Sequence, residues 1–150
     1  MLNKLNYLIF TLFNIGKLPA SGTIASIFTV LFYYFVASYY SKNLFIIILT
    51  VITIYSFIFF KKIINVFKSK DPKEIVIDEF IGQSIPLIIC DKDLLLMIMS
   101  FLIFRFFDIS KIFPANIFDK KLDGAIGVIG DDIVAGIYAF IIIYFIKIYI

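Results

Sequence analysis

The chain contains no histidine and no tryptophan, and only one cysteine, Cys90. Without an imidazole there can be no histidine phosphatase, no histidine-dependent lipid phosphatase, and no Ser/His/Asp or Cys/His triad. A single cysteine excludes an internal disulfide. Leu96 stands six residues after it, where a cysteine-phosphatase loop requires arginine. Cys90 therefore reads as packing. An excess of one charge is also lacking: 14 basic and 11 acidic residues leave a net +3, too mild to point to nucleic acid.

What is present is apolar. Of 150 residues, 62% are hydrophobic and 19% aromatic, and the mean hydropathy is +1.04. A soluble domain runs at about 45–50% apolar. The excess has no place on a water-facing surface, so the bilayer is the expected solvent and a single domain over residues 1–150 the expected organisation. The Met1–Thr11 segment has one lysine, Lys4, before its apolar run and lacks a small-residue cleavage site, so it is expected to be retained.

Leu5–Phe13 is too short to span and predicts an interfacial helix. Ile24–Tyr40 and Leu44–Phe60 predict two spans separated by a turn at Ser41–Asn43. A basic run of five lysines (61, 62, 68, 70 and 73) follows, and Asp71-Pro72 has the form of a helix start. Ile75–Cys90 and Leu94–Phe107, with Asp91-Lys92-Asp93 between them, predict a helical hairpin. Asp108–Asp132 is polar and glycine-containing, and Ile133–Tyr149 is a last span. The expected fold is all-α: a compact multi-pass bundle of about five membrane segments plus the short N-terminal helix.

The hairpin sorts the basic residues. Lys4, Lys17, the five lysines from Lys61 to Lys73, Arg105, Lys111, Lys120 and Lys121 fall on one side, and Lys42, Lys92 and Lys147 on the other. That asymmetry places the first side in the cytoplasm. The hairpin also brings Asp78, Glu79, Asp108, Asp119, Asp131 and Asp132 to that side. Treating Ile75–Phe107 as one crossing would separate Asp78/Glu79 from Asp131/Asp132 and divide the lysines poorly.

Carboxylates at the edge of a span are costly unless paired or metal-bound. Favourable helix dipoles could account for one acidic pair, but not for two pairs plus Asp108 on one face. Hard oxygen ligands suit Mg²⁺, which takes one or two carboxylates and leaves room for a phosphate. Arg105, Asp108 and Lys111 recur every third residue, along one helix face, and could neutralise that phosphate. Gly124, Gly127 and Gly130 could admit backbone amides to it, although turn-forming is the simpler role. Asp91-Lys92-Asp93-Leu94-Leu95 has Leu95 where an aspartate-nucleophile motif needs Thr or Val. Asp123-Gly124 lacks the Ala-Arg that continues the motif of CDP-alcohol phosphotransferases.

Three blocks resemble the bacterial phosphatidylglycerophosphatase A family. They are Gly16-Lys17-Leu18-Pro19-Ala20-Ser21-Gly22-Thr23-Ile24-Ala25-Ser26, Ile75-Val76-Ile77-Asp78-Glu79-Phe80-Ile81-Gly82, and the stretch from Phe104-Arg105 through Asp108, Lys111, Pro114 and Asp119 to Gly130-Asp131-Asp132-Ile133-Val134-Ala135-Gly136. Ser21, Ala25, Ile112 and Ala125 depart from the usual pattern, but no carboxylate or basic group is replaced.

The resemblance implies an inner-membrane, Mg²⁺-dependent phosphatase that converts phosphatidylglycerophosphate to phosphatidylglycerol in phospholipid biosynthesis. Some relatives are soluble all-helical proteins, in keeping with a compact bundle. Asp78, Glu79, Asp131 and Asp132 are then the expected metal ligands, with Asp108 as a further catalytic carboxylate. Arg105, Lys111, Thr23 and Ser26 are expected to bind the headgroup. The rival readings are a CDP-alcohol phosphotransferase-like enzyme and a non-enzymatic transporter or scaffold subunit, whose intramembrane carboxylates would relay protons.

Overall fold

The computed structural model describes residues 2–67, 72–122 and 124–150, with only the backbone at 2–3 and 119–121. Lys68, Lys70, Asp71 and Asp123 lie outside the described residues, as do the side chains of Asp119, Lys120 and Lys121. Among the described residues there are seven α-helices and no strand: α1 (Leu2–Phe10), α2 (Ser21–Tyr39), α3 (Lys42–Ile64), α4 (Ile77–Leu87), α5 (Leu94–Ser110), α6 (Ala115–Lys121) and α7 (Gly124–Tyr149).

Three helices, α2, α3 and α7, are long and apolar enough to cross a membrane by length and composition. Ile47, Val51, Ile54 and Ile58 along α3 are each more than half exposed. An apolar stripe of this kind suits lipid rather than water. The two arms of the expected hairpin are shorter than a typical span: α5 has 17 residues and α4 only 11.

The hairpin itself is present. α4 and α5 run in opposite directions about a turn in which Asp91 and Lys92 both adopt positive φ. Side-chain caps set the helix starts at this end of the bundle. The Ser41 hydroxyl accepts the Leu44 N–H at 3.1 Å to begin α3, and the Asp93 carboxylate accepts the Leu96 N–H at 3.1 Å to begin α5. The same end carries an ion-pair cluster. Asp91 accepts from Lys42 at 2.6 Å and also pairs with Lys147, whose ammonium donates to the Ile89 carbonyl at 2.9 Å. Lys147, and then Lys42, hold the Asp91 carboxyl below the usual carboxylate range. One aspartate thus ties α3, the hairpin turn and α7 together.

Two expected boundaries differ. α4 starts at Ile77, not at Pro72, because Pro72–Val76 forms a turn and then a short non-helical link, with the Val76 N–H donating to the Phe10 carbonyl at 3.0 Å. The stretch 108–132 is largely helical: α6 occupies part of it, and α7 begins at Gly124, well before Ile133. Two of its glycines form a packing face. A methyl at Gly127 would overlap the Leu122 carbonyl, and one at Gly130 would meet the Phe118 ring at 2.6 Å. These two let α6 lie directly on α7, whereas Gly124 starts α7 with positive φ (74°) and has open space around it, so its role is the turn.

The tightest seam joins α4 to α7. A Cβ at Gly82 would lie 2.6 Å from the Asp132 carbonyl, and one at Gly136 would overlap the Gly82 carbonyl. Small residues at both faces bring the two backbones into contact, the device by which helices pack closely in membranes. Around this seam, Phe10, Phe60, Ile63, Ile77, Phe80 and Ile129 fill a core near one end of the bundle. Tyr33, Phe45, Leu87, Cys90, Met97 and Ile143 fill a core near the other. Cys90 is buried there, as packing.

Candidate active site

At the end of the bundle opposite the Asp91 cluster, a cavity of about 910 Å³ opens among the starts of α2, α4 and α7, the end of α5, and the segments preceding α2 and α4. Asp78 and Glu79 enter it from the first turn of α4. Asp131 and Asp132 enter it from α7, both buried (7% and 4% exposed). They lie two turns inside that helix, not at its N-terminus as expected, because α7 starts early. Dipole stabilisation within the first turn therefore does not account for them.

Asp78, Glu79 and Asp132 each offer a carboxylate oxygen within 4.8 Å of the others. Asp78 Oδ1 and Glu79 Oε2 are buried without a hydrogen-bond partner. Three crowded carboxylates with unsatisfied buried oxygens are unfavourable on their own. A divalent cation would neutralise the crowding and fill those lone pairs, and an all-oxygen donor set is the chemistry a hard cation requires. The donors therefore fit a metal ion.

The remaining charged groups frame this cluster. Arg105 pairs with Asp108 one turn along α5, and Arg105 Nε is buried without a partner. Lys111 does not continue that ladder. It caps α5 in the left-handed region (φ 44°), and its ammonium reaches across to Asp131 Oδ2 at 2.9 Å. Asp131 Oδ1 also accepts the Asp132 N–H at 3.1 Å.

Every residue expected at the site lines the cavity except Ser26. Ser26 faces into the bundle, fully buried, and its hydroxyl donates to the Gly22 carbonyl at 2.9 Å. Its hydroxyl is thus back-bonded within its own helix and, unlike the other expected residues, is not part of the cavity lining. Thr23, three residues earlier, does face the cavity.

Several cavity residues had no role in the sequence reading. Gly22 is one: a methyl there would overlap the Glu79 carboxylate and lie 3.3 Å from Arg105 Nη1. The start of α2 therefore presses its backbone against both groups. Lys17, Lys73 and Glu74 form the outer wall. Glu74 accepts from the Tyr7 hydroxyl at 2.5 Å, and Lys17 lies over the Tyr7 ring, 5.2 Å from its centroid. Burial first, and then Glu74, hold the Tyr7 phenol above its ordinary range, so it remains a donor. Gly16, Lys17 and Gly22 belong to the first sequence block, which was the available signal. Glu74 sits one residue before the second block.

A family model described as Phosphatidylglycerophosphatase A matches residues 8–147. The phosphatidylglycerophosphatase A of Haemophilus influenzae is 42% identical over 78 residues, 51% of this chain and 48% of that protein. The Escherichia coli protein of the same name is 42% identical over 77 residues, 51% of this chain and 45% of its own. A Bacteroides thetaiotaomicron protein, described provisionally as a phosphatidylinositol-3-phosphatase, is 39% identical over 80 residues, 49% of this chain and 48% of its own. The chain spans about half the length of the curated relatives it matches. No solved structure matches it. With the family match running through all three sequence blocks and every cavity carboxylate, the chain belongs to the phosphatidylglycerophosphatase A family.

Proposed function

We propose that this chain hydrolyses phosphatidylglycerophosphate to phosphatidylglycerol and inorganic phosphate, with Mg²⁺ as cofactor, in phospholipid biosynthesis. The observation that carries the reading is the convergence of Asp78, Glu79 and Asp132 beside Arg105 and Lys111 in one cavity. Family membership supplies the substrate class. Asp78, Glu79 and Asp132 would hold the ion, with Asp131 beside them. An ion held there would supply charge neutralisation at the phosphate and Lewis-acid activation of the nucleophile.

The chain's own groups position the substrate. Arg105 and Lys111 bind the non-bridging oxygens of the monoester, where negative charge builds up in the transition state. Asp108 fixes the Arg105 guanidinium, and Asp131 fixes the Lys111 ammonium. Thr23 offers a hydroxyl to the headgroup. In the net reaction water adds to phosphorus and the bond from phosphorus to the glycerol oxygen breaks. The alkoxide takes a proton, and phosphate leaves.

The same reading treats residues 1–150 as one membrane domain with five membrane segments. The α4–α5 hairpin is seated within the bundle, and α1 lies at the interface. The cavity faces the cytoplasm in a bacterial inner membrane. The support is Lys17 and Lys73 in the cavity wall and Lys61 and Lys62 in the last turn of α3, whereas Lys42, Lys92 and Lys147 lie at the Asp91 end.

The deciding experiment measures phosphate release from purified phosphatidylglycerophosphate, with and without Mg²⁺, for wild type and Asp78→Asn. Mg²⁺-dependent release that Asp78→Asn abolishes is expected. Nucleotide-linked exchange in place of phosphate release would support a phosphotransferase, and no release at all would support a transporter or scaffold. Running other lipid phosphate monoesters in parallel tests the substrate assignment. Labelling single cysteines placed at Lys73 and Lys92 from each side of the membrane tests the orientation.

A further inference from the structure

We propose that the gap between α2 and α5 seats an acyl chain of the substrate, so that the lipid enters the cavity sideways from the bilayer through this seam. The proposal rests on the phosphatase reading and extends it to the tails.

A headgroup bound by Arg105 and Lys111 still carries its acyl chains, which must leave the cavity through the wall of the bundle. Most of that wall is sealed. α4 and α7 touch backbone to backbone at Gly82 and Gly136. α2 and α4 are closed by Phe32 against Phe80, with ring centroids 5.9 Å apart. α5 and α7 are closed by Phe107 against Tyr138 at 5.1 Å and by Phe104 packed with Ala135 and Ala139. Between α2 and α5 the packing instead opens into a groove of about 180 Å³, lined by Ile27, Val30, Leu31, Ile98 and Phe101. Every lining residue is apolar. Ile27, Leu31 and Ile98 are 44%, 63% and 56% exposed.

The register of both helices connects this groove to the cavity. Thr23 and Arg105 line the cavity. Ile27 lies four residues after Thr23, and Phe101 four residues before Arg105, on the same helix faces. Four residues advance a helix by about 6 Å. The groove therefore starts about one turn below the polar wall and runs on toward the membrane interior, through Leu31 on one side and Ile98 on the other. A polar head against Arg105 with an apolar tail beneath it reproduces the order of charge and hydrocarbon in a phospholipid.

The test fills the groove. The variant Ile27→Trp/Ile98→Trp is assayed on diacyl phosphatidylglycerophosphate and on its deacylated headgroup. Val51→Trp, on the lipid-facing side of α3, serves as control. The ratio of kcat/KM for diacyl over deacylated substrate should fall roughly tenfold in the groove variant, through KM, and stay at the wild-type ratio in the control. An unchanged ratio in the groove variant, whether the groove holds bulk lipid or a second copy of the chain, would overturn the proposal.

A second measurement does not require catalysis. A phosphatidic acid with a photoreactive group in one acyl chain should label peptides containing Ile27–Leu31 and Ile98–Phe101, and the double variant should lose that labelling. Adducts spread equally over the exposed face of α3 would refute the groove even if the enzyme is active. Wild type that releases no phosphate yet labels in the groove would instead count against the phosphatase reading alone.

Discussion

The two ends of the bundle both gather acidic and basic side chains, but to opposite effect. At the far end one aspartate, Asp91, is shared by Lys42 and Lys147 in an exposed turn. At the cavity end, carboxylates crowd together, and buried oxygens of Asp78 and Glu79 have no hydrogen-bond partner. A cluster that satisfies itself holds helices in place. One that does not is open to completion from outside, in the proposed function by a cation and a phosphate.

Replacing a cavity carboxylate should break this contrast most severely. Asp78→Asn, Glu79→Gln or Asp132→Asn should each lower phosphate release by about a thousandfold, the scale for losing an essential catalytic group or metal ligand. Thermal stability should hold or rise, since each change relieves crowding. A parallel fall in melting temperature would instead assign these groups a structural role. Gly22→Ala comes next. Its methyl meets the end of the flexible Glu79 side chain, so the fold should survive while the carboxylate is displaced. A loss of about a hundredfold in kcat is expected from an ångström-scale misplacement, with melting unchanged.

Lys111→Ala should have a smaller effect, roughly tenfold in kcat/KM, corresponding to one charge-assisted hydrogen bond to phosphate. Steady-state kinetics with varied lipid would separate it from Gly22→Ala. The smallest effect belongs to the far end. Asp91→Ala should leave phosphate release intact and cost at most about 1 kcal/mol of stability, given how exposed its ion pairs are. Because Lys147 and Lys42 lower the folded-state pKa of Asp91, this contribution is present at neutral pH. It is lost as the pH falls below the ordinary aspartate value of about 3.9. Denaturation midpoints for wild type and variant should therefore differ at pH 7 and converge in acid.

Much of this contrast was legible in the sequence. Continuous apolar runs announced α2, α3 and α7, and the paired carboxylates stood out because charge is expensive beside such runs. The hairpin followed from requiring one set of lysines on one side. What escaped was decided by contacts between distant segments. Gly127 and Gly130 look like helix breakers by propensity, yet they lie in a helix because α6 needs a surface without side chains. That early start buried Asp131 and Asp132 two turns deep. Ser26 had the right chemistry and spacing, but its hydroxyl turned back to its own helix. Gly22 was marked only by its place in the first sequence block, because its contribution is to have no side chain where Glu79 must fit.

The crossing of α4 and α7 acts like the rivet of a pair of pliers. Gly82 lies one helical turn beyond Asp78 and Glu79, and Gly136 one turn beyond Asp132, so all three carboxylates sit the same short arm away from the point where the two backbones touch. The width of the jaws is thereby fixed by main-chain contact. With no side chains between the two backbones to repack, the spacing of the carboxylates is set by the main chain itself.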